Sequence, residues 1–396
     1  EKINIFGNNI TQEEVIRNNL FVDEGDAFND LLHKKSINSI KSLNIFADVG
    51  SEILTGTSDS QKIINITIDE KSTGEISAGA GVGTNGGSVG FGVKENNFLG
   101  RGIKFGTDLI VSEEAIRGVI SLDNPNYQGS DRSLNMTLES TVADRLKDYG
   151  YKSNKTGFSV GSGFEYYDDL FLNLGISSYV EKLETDSSAS ANMKKQKGSY
   201  FDTFFNYTLS FDKRNQKFKT SDGHITRFTQ NLPVLGETFT ITNTFNHKTY
   251  KEWFNENIAT FGFYASATNS LAGKNVKLSD RLFIPANKLR GFASGKAGPK
   301  DGVDHVGGNY LVTFNASTTL PQILPNLQST DFSIFLDAAN IWGLDYDSSL
   351  GQDNRLRSSI GVAIDIYTPI GPLNFSFTEV ISKDSKDSTE SFRFNL

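Results

Sequence analysis

Few residues in this chain are placed to do chemistry. Its four histidines, His33, His224, His247 and His305, lie too far apart for a metal site, whose ligands recur within a few residues. Asp301 and Asp304 sit beside His305 in a Gly-rich stretch, so a cation site is conceivable, but a solvated loop is the expected setting. With 0 Cys there is no disulfide framework, thiolate ligand or thiol nucleophile. The acidic pairs Glu113-Glu114 and Asp168-Asp169 read as turns between strands, and no Ser/His/Asp set can be assembled. Gly81-Val82-Gly83-Thr84-Asn85-Gly86 matches GxGxxG, but a dinucleotide site needs a helix next. Here Val89, Phe91 and Val93 continue an alternating strand, so a hairpin turn is expected. No catalytic residue, cofactor or metal is assigned.

One carboxylate stands out by its neighbours. In Asp331–Trp342, Phe332, Ile334, Leu336 and Ala338 share one face of a strand, which puts Phe335 and Asp337 on the other. If the first face meets lipid, Asp337 points inward, where it needs water or a partner. By themselves, Asp337 reads as a solvated lumenal group and Arg290 as a loop cation.

The elements carrying these residues follow from period and composition. From Gly74 onward helical spacing stops and large residues alternate with small or polar ones. Ile76, Ala78, Ala80 and Val82 alternate with Ser77, Gly79 and Gly81; Phe205, Tyr207, Leu209 and Phe211 with Asn206, Thr208 and Ser210. Ile360, Val362, Ile364 and Ile366 repeat the pattern, as do Leu373, Phe375 and Phe377. High Gly (37) and Phe (30), with few Pro (8) and Met (2), fit a transmembrane barrel, in which only every second residue meets lipid. Such a barrel keeps mean hydropathy low, at −0.34. No run approaches the ~20 apolar residues of a spanning helix. At roughly 20 residues per strand and connection, residues 73–396 allow about sixteen antiparallel strands. The formal charge of −8 offers no basic face for nucleic acid.

Residues 1–72 read as a small α+β domain of order β-α-α-β-β. It comprises a strand at Ile3–Phe6, a helix capped by Thr11 with Glu14 three residues on, and a helix from about Asn29 to Leu43. Leu31, Leu32, Ile37, Ile40 and Leu43 give that second helix its apolar face. Strands at Ala47–Leu54 and Ile63–Glu70 follow, with Ile64, Ile66 and Ile68 on one face. The chain opens on Glu1-Lys2-Ile3-Asn4 inside a strand pattern, so a mature or trimmed fragment is expected.

Several segments together resemble the BamA family of outer-membrane β-barrel assembly factors, within the superfamily that joins POTRA domains to a barrel. Leu289-Arg290-Gly291-Phe292 resembles its (V/I/L)RG(F/Y) loop motif, and Phe335-Leu336-Asp337-Ala338-Ala339 its FxDxG strand, with Ala339 where Gly is usual. Gly307-Gly308-Asn309, Gly371-Pro372-Leu373 and the hairpin Asp212-Lys213-Arg214…Thr220-Ser221-Asp222-Gly223 are similar in order and spacing. The resemblance implies a 16-stranded transmembrane barrel preceded by one periplasmic POTRA domain. It implies a sixth loop folded into the lumen, where Arg290 meets Asp337, Gly291 turns the chain and Phe292 packs on the inner wall. Two departures are visible. A Glu common in the family falls near Ser317, and the last strand, Phe392–Leu396, is short where relatives continue, reading as truncated.

The function so implied is insertion of client barrels into the bacterial outer membrane, with partners among unfolded clients, accessory lipoproteins and outer-membrane lipids. Strand templating requires a weak seam between the first strand (Ile76, Ser77, Ala78, Gly79, Ala80, Gly81) and the last (Phe392, Arg393, Phe394, Asn395). Exposed edges recruit strands, and Gly-rich ones specify register weakly. A cysteine pair at 77 and 394 is the expected seam crosslink. The runner-up is a two-partner-type secretion pore of the same superfamily, marked by a plug helix and two POTRA domains upstream. A passive porin and a hydrolase barrel are weaker rivals.

Overall fold

The computed structural model describes residues 2–58, 61–84, 86–217, 219–254, 257–320, 329–350, 355–368 and 371–395. Its N-terminal unit runs β1 (Lys2–Phe6), α1 (Glu13–Arg17), α2 (Asp30–Ser42), β2 (Phe46–Thr55) and β3 (Lys62–Glu70). Sheet order is β1-β3-β2, with β1 parallel to β3 and β2 antiparallel to it. Ile64, Ile66 and Ile68 alternate onto the helix-covered face and close a core with Ile3, Ile16, Ile40 and Val49. Asn29 starts α2 as its cap, its side chain accepting from the Leu31 and Leu32 amides.

Two sequence expectations fail here. Leu31 is 75% exposed: the buried stripe of α2 runs through His33, Ser36 and Ile40, and Leu31 lies off that line. Thr11 does not cap α1, whose N-cap is Gln12 without a side-chain bond. Instead Thr11 is buried, accepting from Asn97 Nδ2 at 2.9 Å and donating its amide to Glu70 Oε1 at 2.6 Å.

From Gly74–Gly83 to Phe392–Asn395, sixteen strands form one closed antiparallel barrel. Its closure follows from the period-two pattern. Outward residues such as Phe91, Leu138, Phe158, Ile176, Phe261, Phe314, Leu336 and Phe377 are large, apolar and exposed, while their strand neighbours face inward. An exposed apolar belt of that extent belongs against lipid. Helix is not wholly absent from this part: single turns at Leu146–Tyr149 and Ala191–Lys194 sit in loops at one end of the barrel. The GxGxxG segment is the tight turn between the first strand and Gly86–Phe98, with Gly83 paired to Gly86; Asn85 lies outside the described residues.

The turn after Gly86–Phe98 docks on the N-terminal unit. Gln12 donates its amide to Gly100 O at 2.7 Å, and Asn97 Oδ1 accepts from the Gly102 amide. Gly100 has φ +70°, and a Cβ there would lie 2.0 Å from Ile10 O, so no other residue fits. Glu70 holds the opposing loop by accepting the amides of Asn9, Ile10 and Thr11. Partial burial pushes its pKa up, but the Thr11 hydroxyl and these amides outweigh that and hold it below 4.5. A depressed folded pKa means the contribution is present above 4.5 and lost as pH falls through the lower folded value. Hydrogen exchange, corrected for intrinsic rate, is therefore expected to speed up at Asn9–Thr11 below that pH. Glu70→Gln should show the fast rate at neutral pH, and equal protection in variant and wild type would remove this role.

Candidate functional site

The site lies inside the barrel, on the long connection between the strands Asn257–Ser270 and Tyr310–Thr319. This segment folds back into the lumen. Arg290 reaches Asp337 through Nε at 2.7 Å and Nη2 at 2.8 Å, and its amide adds a third bond at 3.1 Å. Asn315 donates the fourth at 2.8 Å and also binds Lys288 O. Asp337 is thus 0% exposed with its acceptor sites filled, the condition under which a buried carboxylate is tolerated. The guanidinium lies flat against Phe335, 3.3 Å from the ring centre.

Backbone geometry delivers Arg290 there. Gly291 has φ +86°, and a Cβ on it would lie 2.5 Å from Thr378 Cγ2. Ser359 donates to Arg290 O at 2.6 Å. Leu289 and Phe292, both buried, pack with Ile284 of the same loop and with Leu311, Ala339 and Ile341 of the wall. Register puts Asn315 opposite Asp337 and Ser317, near which the family Glu would fall, opposite Phe335.

Further charged contacts fasten the same loop. Lys277 is buried among Glu181 at 2.8 Å, Asp202 at 3.1 Å and Asp280 at 3.5 Å. Burial alone would lower its pKa, but the carboxylates hold it well above the usual lysine range. Arg281 binds Asn309 Oδ1 at 2.6 Å and also Asp345, so the Gly307-Gly308-Asn309 segment is an anchor. Arg357 and Asp387, both fully buried, meet at 2.8 Å, and Asp387 accepts the Gly298 amide. No period or motif announces Asp387, which lies in a loop.

Asp301, Asp304 and His305 depart from the solvated-loop expectation. They form a small hairpin, Lys300–Asp301 with Asp304–His305, and Asp304 and His305 are only 4% and 5% exposed. Asp301 accepts from Ser190 Oγ and Tyr346 OH. Burial, reinforced by Lys300 and Lys296, pushes the His305 pKa down to about 4. The hairpin places the two carboxylates on one face and His305 on the other. Among the described residues no three His, Asp or Glu are grouped to hold a metal.

At the seam the ladder nearly stops. The first strand pairs along ten residues with Gly86–Phe98 but meets the last strand at one register pair, Asn395 with Gly83. The Thr84 amide donates to Phe394 O at 3.0 Å, and the Phe394 amide to Thr84 Oγ1 at 2.9 Å. Ile76, Ser77, Ala78, Gly79, Ala80 and Gly81 have no ladder partner on that side among the described residues. The expected 77/394 crosslink is out of register: residue 394 faces 84, seven positions or about 23 Å further along the strand. Phe392 points outward, its ring tilted against that of Phe377, whereas Arg393 points inward and is 6% exposed. Leu396 lies outside the described residues.

A family model described as the Omp85 superfamily domain matches residues 97–396. The outer membrane protein assembly factor BamA of Neorickettsia risticii is 24% identical over an alignment covering 100% of this chain and 54% of that protein. The chain spans about half the length of the curated relatives it matches. Among solved structures, BamA from Haemophilus ducreyi lacking POTRA domains 1–3 superposes with TM-score 0.88 at 23% identity, covering 100% of this chain and 83% of that one. CdiB from Acinetobacter baumannii gives TM-score 0.63 at 12% identity, covering 100% of this chain and 73% of that one. Both share the fold.

Removing one partner of the central pair isolates a buried charge, at a cost of about 3–5 kcal/mol. Arg290→Ala should therefore lower the temperature at which the barrel loses its folded gel mobility. The double variant Arg290→Met/Asp337→Leu strands no charge and should melt higher than Arg290→Ala. If the double variant melts no higher, the pair is not the stabilising contact described.

Proposed function

We propose, for a chain that belongs to the Omp85 superfamily, that it folds and inserts client β-barrel proteins into the bacterial outer membrane by strand templating at its seam. Residues 1–72 act in this reading as a periplasmic POTRA domain that receives unfolded clients and docks accessory lipoproteins. The relatives' name, outer membrane protein assembly factor, supports the assignment.

The observation that carries it is the one-pair seam. In lipid every unpaired backbone group costs several kcal/mol, so the free edge of the first strand is a standing demand for a partner. An incoming strand meets that demand by β-augmentation, needing only backbone complementarity and hence no fixed sequence. The Gly-rich edge suits a varied clientele, since its register is weakly specified. No covalent chemistry is required, which fits a non-enzymatic machine.

The secretion-pore reading draws on the fold shared with CdiB. Against an open conduit stands the lumenal loop, fastened through Arg290, Lys277 and Arg281 across the interior.

The chain contains 0 Cys, so one engineered pair tests the seam cleanly. Thr84→Cys/Phe394→Cys, oxidised in proteoliposomes, should cut the rate of client insertion by about tenfold or more, since the client can no longer enter the ladder. Reduction should restore it. Full crosslinking with unchanged insertion would sink the templating reading.

A further inference from the structure

Arg393 sits in the last strand, where a residue serving only the seam would offer backbone alone. Its guanidinium is instead turned into the lumen, and each of its three nitrogens donates a hydrogen bond. Nη1 donates to Ala286 O at 2.6 Å, Nη2 to Phe292 O at 2.7 Å, and Nε to Glu390. The backbone leading into the strand runs beside the same loop. Glu390 donates its amide to Gly291 O, Ala293 donates to Ser388 O, and Ser388 donates to Lys296 O, each at 3.0 Å. Phe292 and Thr389 form a β-bridge.

The last strand and its lead-in are therefore bound more extensively to the lumenal loop than to the first strand. A buried guanidinium needs partners for its donors, and bonds from all three nitrogens make this clasp specific and not incidental packing. Through Arg290, Gly291 and Phe292 the contacts are continuous: Asp337 on the wall strand Thr330–Trp342 holds Arg290, and the next two carbonyls hold Glu390 and Arg393.

We propose that Arg393 is a positioning residue that straps the last strand to the lumenal loop, so that the seam opens by release of the first strand while the last stays docked. The proposal rests on the seam reading and supplies its asymmetry. The freed first strand is then the template, and the docked last strand is the fixed post against which the barrel recloses. Coupling of this kind needs a contiguous set of contacts; the strap supplies it on the side of the last strand, while one register pair among the described residues ties that strand to the first.

The test uses the full chain in proteoliposomes, with Thr84→Cys/Phe394→Cys as reporter of last-strand position. Adding Arg393→Gln should lower the yield of the seam disulfide under limiting oxidant by about tenfold, because charge-assisted bonds to two carbonyls are lost. Folded gel mobility should be retained. Arg393→Lys, which keeps one charge but loses the fork, should give an intermediate yield and carries the test if the Gln variant does not fold. In a second arm, Arg393→Gln alone should slow client insertion, and an Ala293→Cys/Ser388→Cys disulfide in that background should restore it. An unchanged seam yield in the substituted chain overturns the strap, as does an insertion defect that the second disulfide fails to restore. Failure of templating itself shows differently: the locked seam leaves insertion intact, while the disulfide yields still report on Arg393.

Discussion

The governing constraint is that a sheet in lipid has nowhere to leave its backbone donors and acceptors. Closure into a cylinder satisfies them wherever neighbouring strands are laddered, and the registers run long around most of this barrel, interrupted by local bulges. One interface stands apart, with Asn395 and Gly83 forming the only register pair between the last strand and the first among the described residues. The rest of the molecule can be understood as making that exception survivable. Strands on both sides are fully laddered to their other neighbours, and the last strand is additionally held from within the lumen.

Charge supplies the hold. Ion pairs buried in a protein rarely add much stability, because desolvation offsets attraction. Their value here is geometric. Asp337 accepts four bonds in one arrangement, Arg357 and Asp387 meet fully buried, and Lys277 sits among three carboxylates. Apolar residues of equal volume would fill the lumen, but they would not specify which turn of the loop faces which strand. Gly291 and Phe292 then present their carbonyls to the last strand and its lead-in, so that fixing the loop also positions that strand.

The opposite side of the seam is tied elsewhere. The first hairpin ends at Asn97 and Gly100, where it meets Thr11 and Gln12 of the N-terminal unit. Thr73, just before the first strand, accepts from the Asn96 amide, and its hydroxyl bonds Glu95. The two sides of the seam therefore have separate attachments, one to the N-terminal unit and one to the lumenal loop.

Much of this was legible in the residues alone. Period-two alternation sets which side chains face out, so Phe335 and Asp337 were assigned inward. Helix and strand order in the N-terminal unit followed from apolar spacing. Pairing of Arg290 with Asp337 came from motif resemblance, since residues 47 positions apart carry no local signal of contact. Register was beyond reach. It decides that 394 meets 84 and not 77, that Asn315 and not Ser317 faces Asp337, and that Thr11 joins the barrel instead of capping a helix. Burial of Asp304 and His305 was equally invisible, because a Gly-rich loop has the same composition whether solvent or a folded dome surrounds it. Local periodicity determines orientation; only the closed three-dimensional ladder determines neighbours, because it brings together strands hundreds of residues apart.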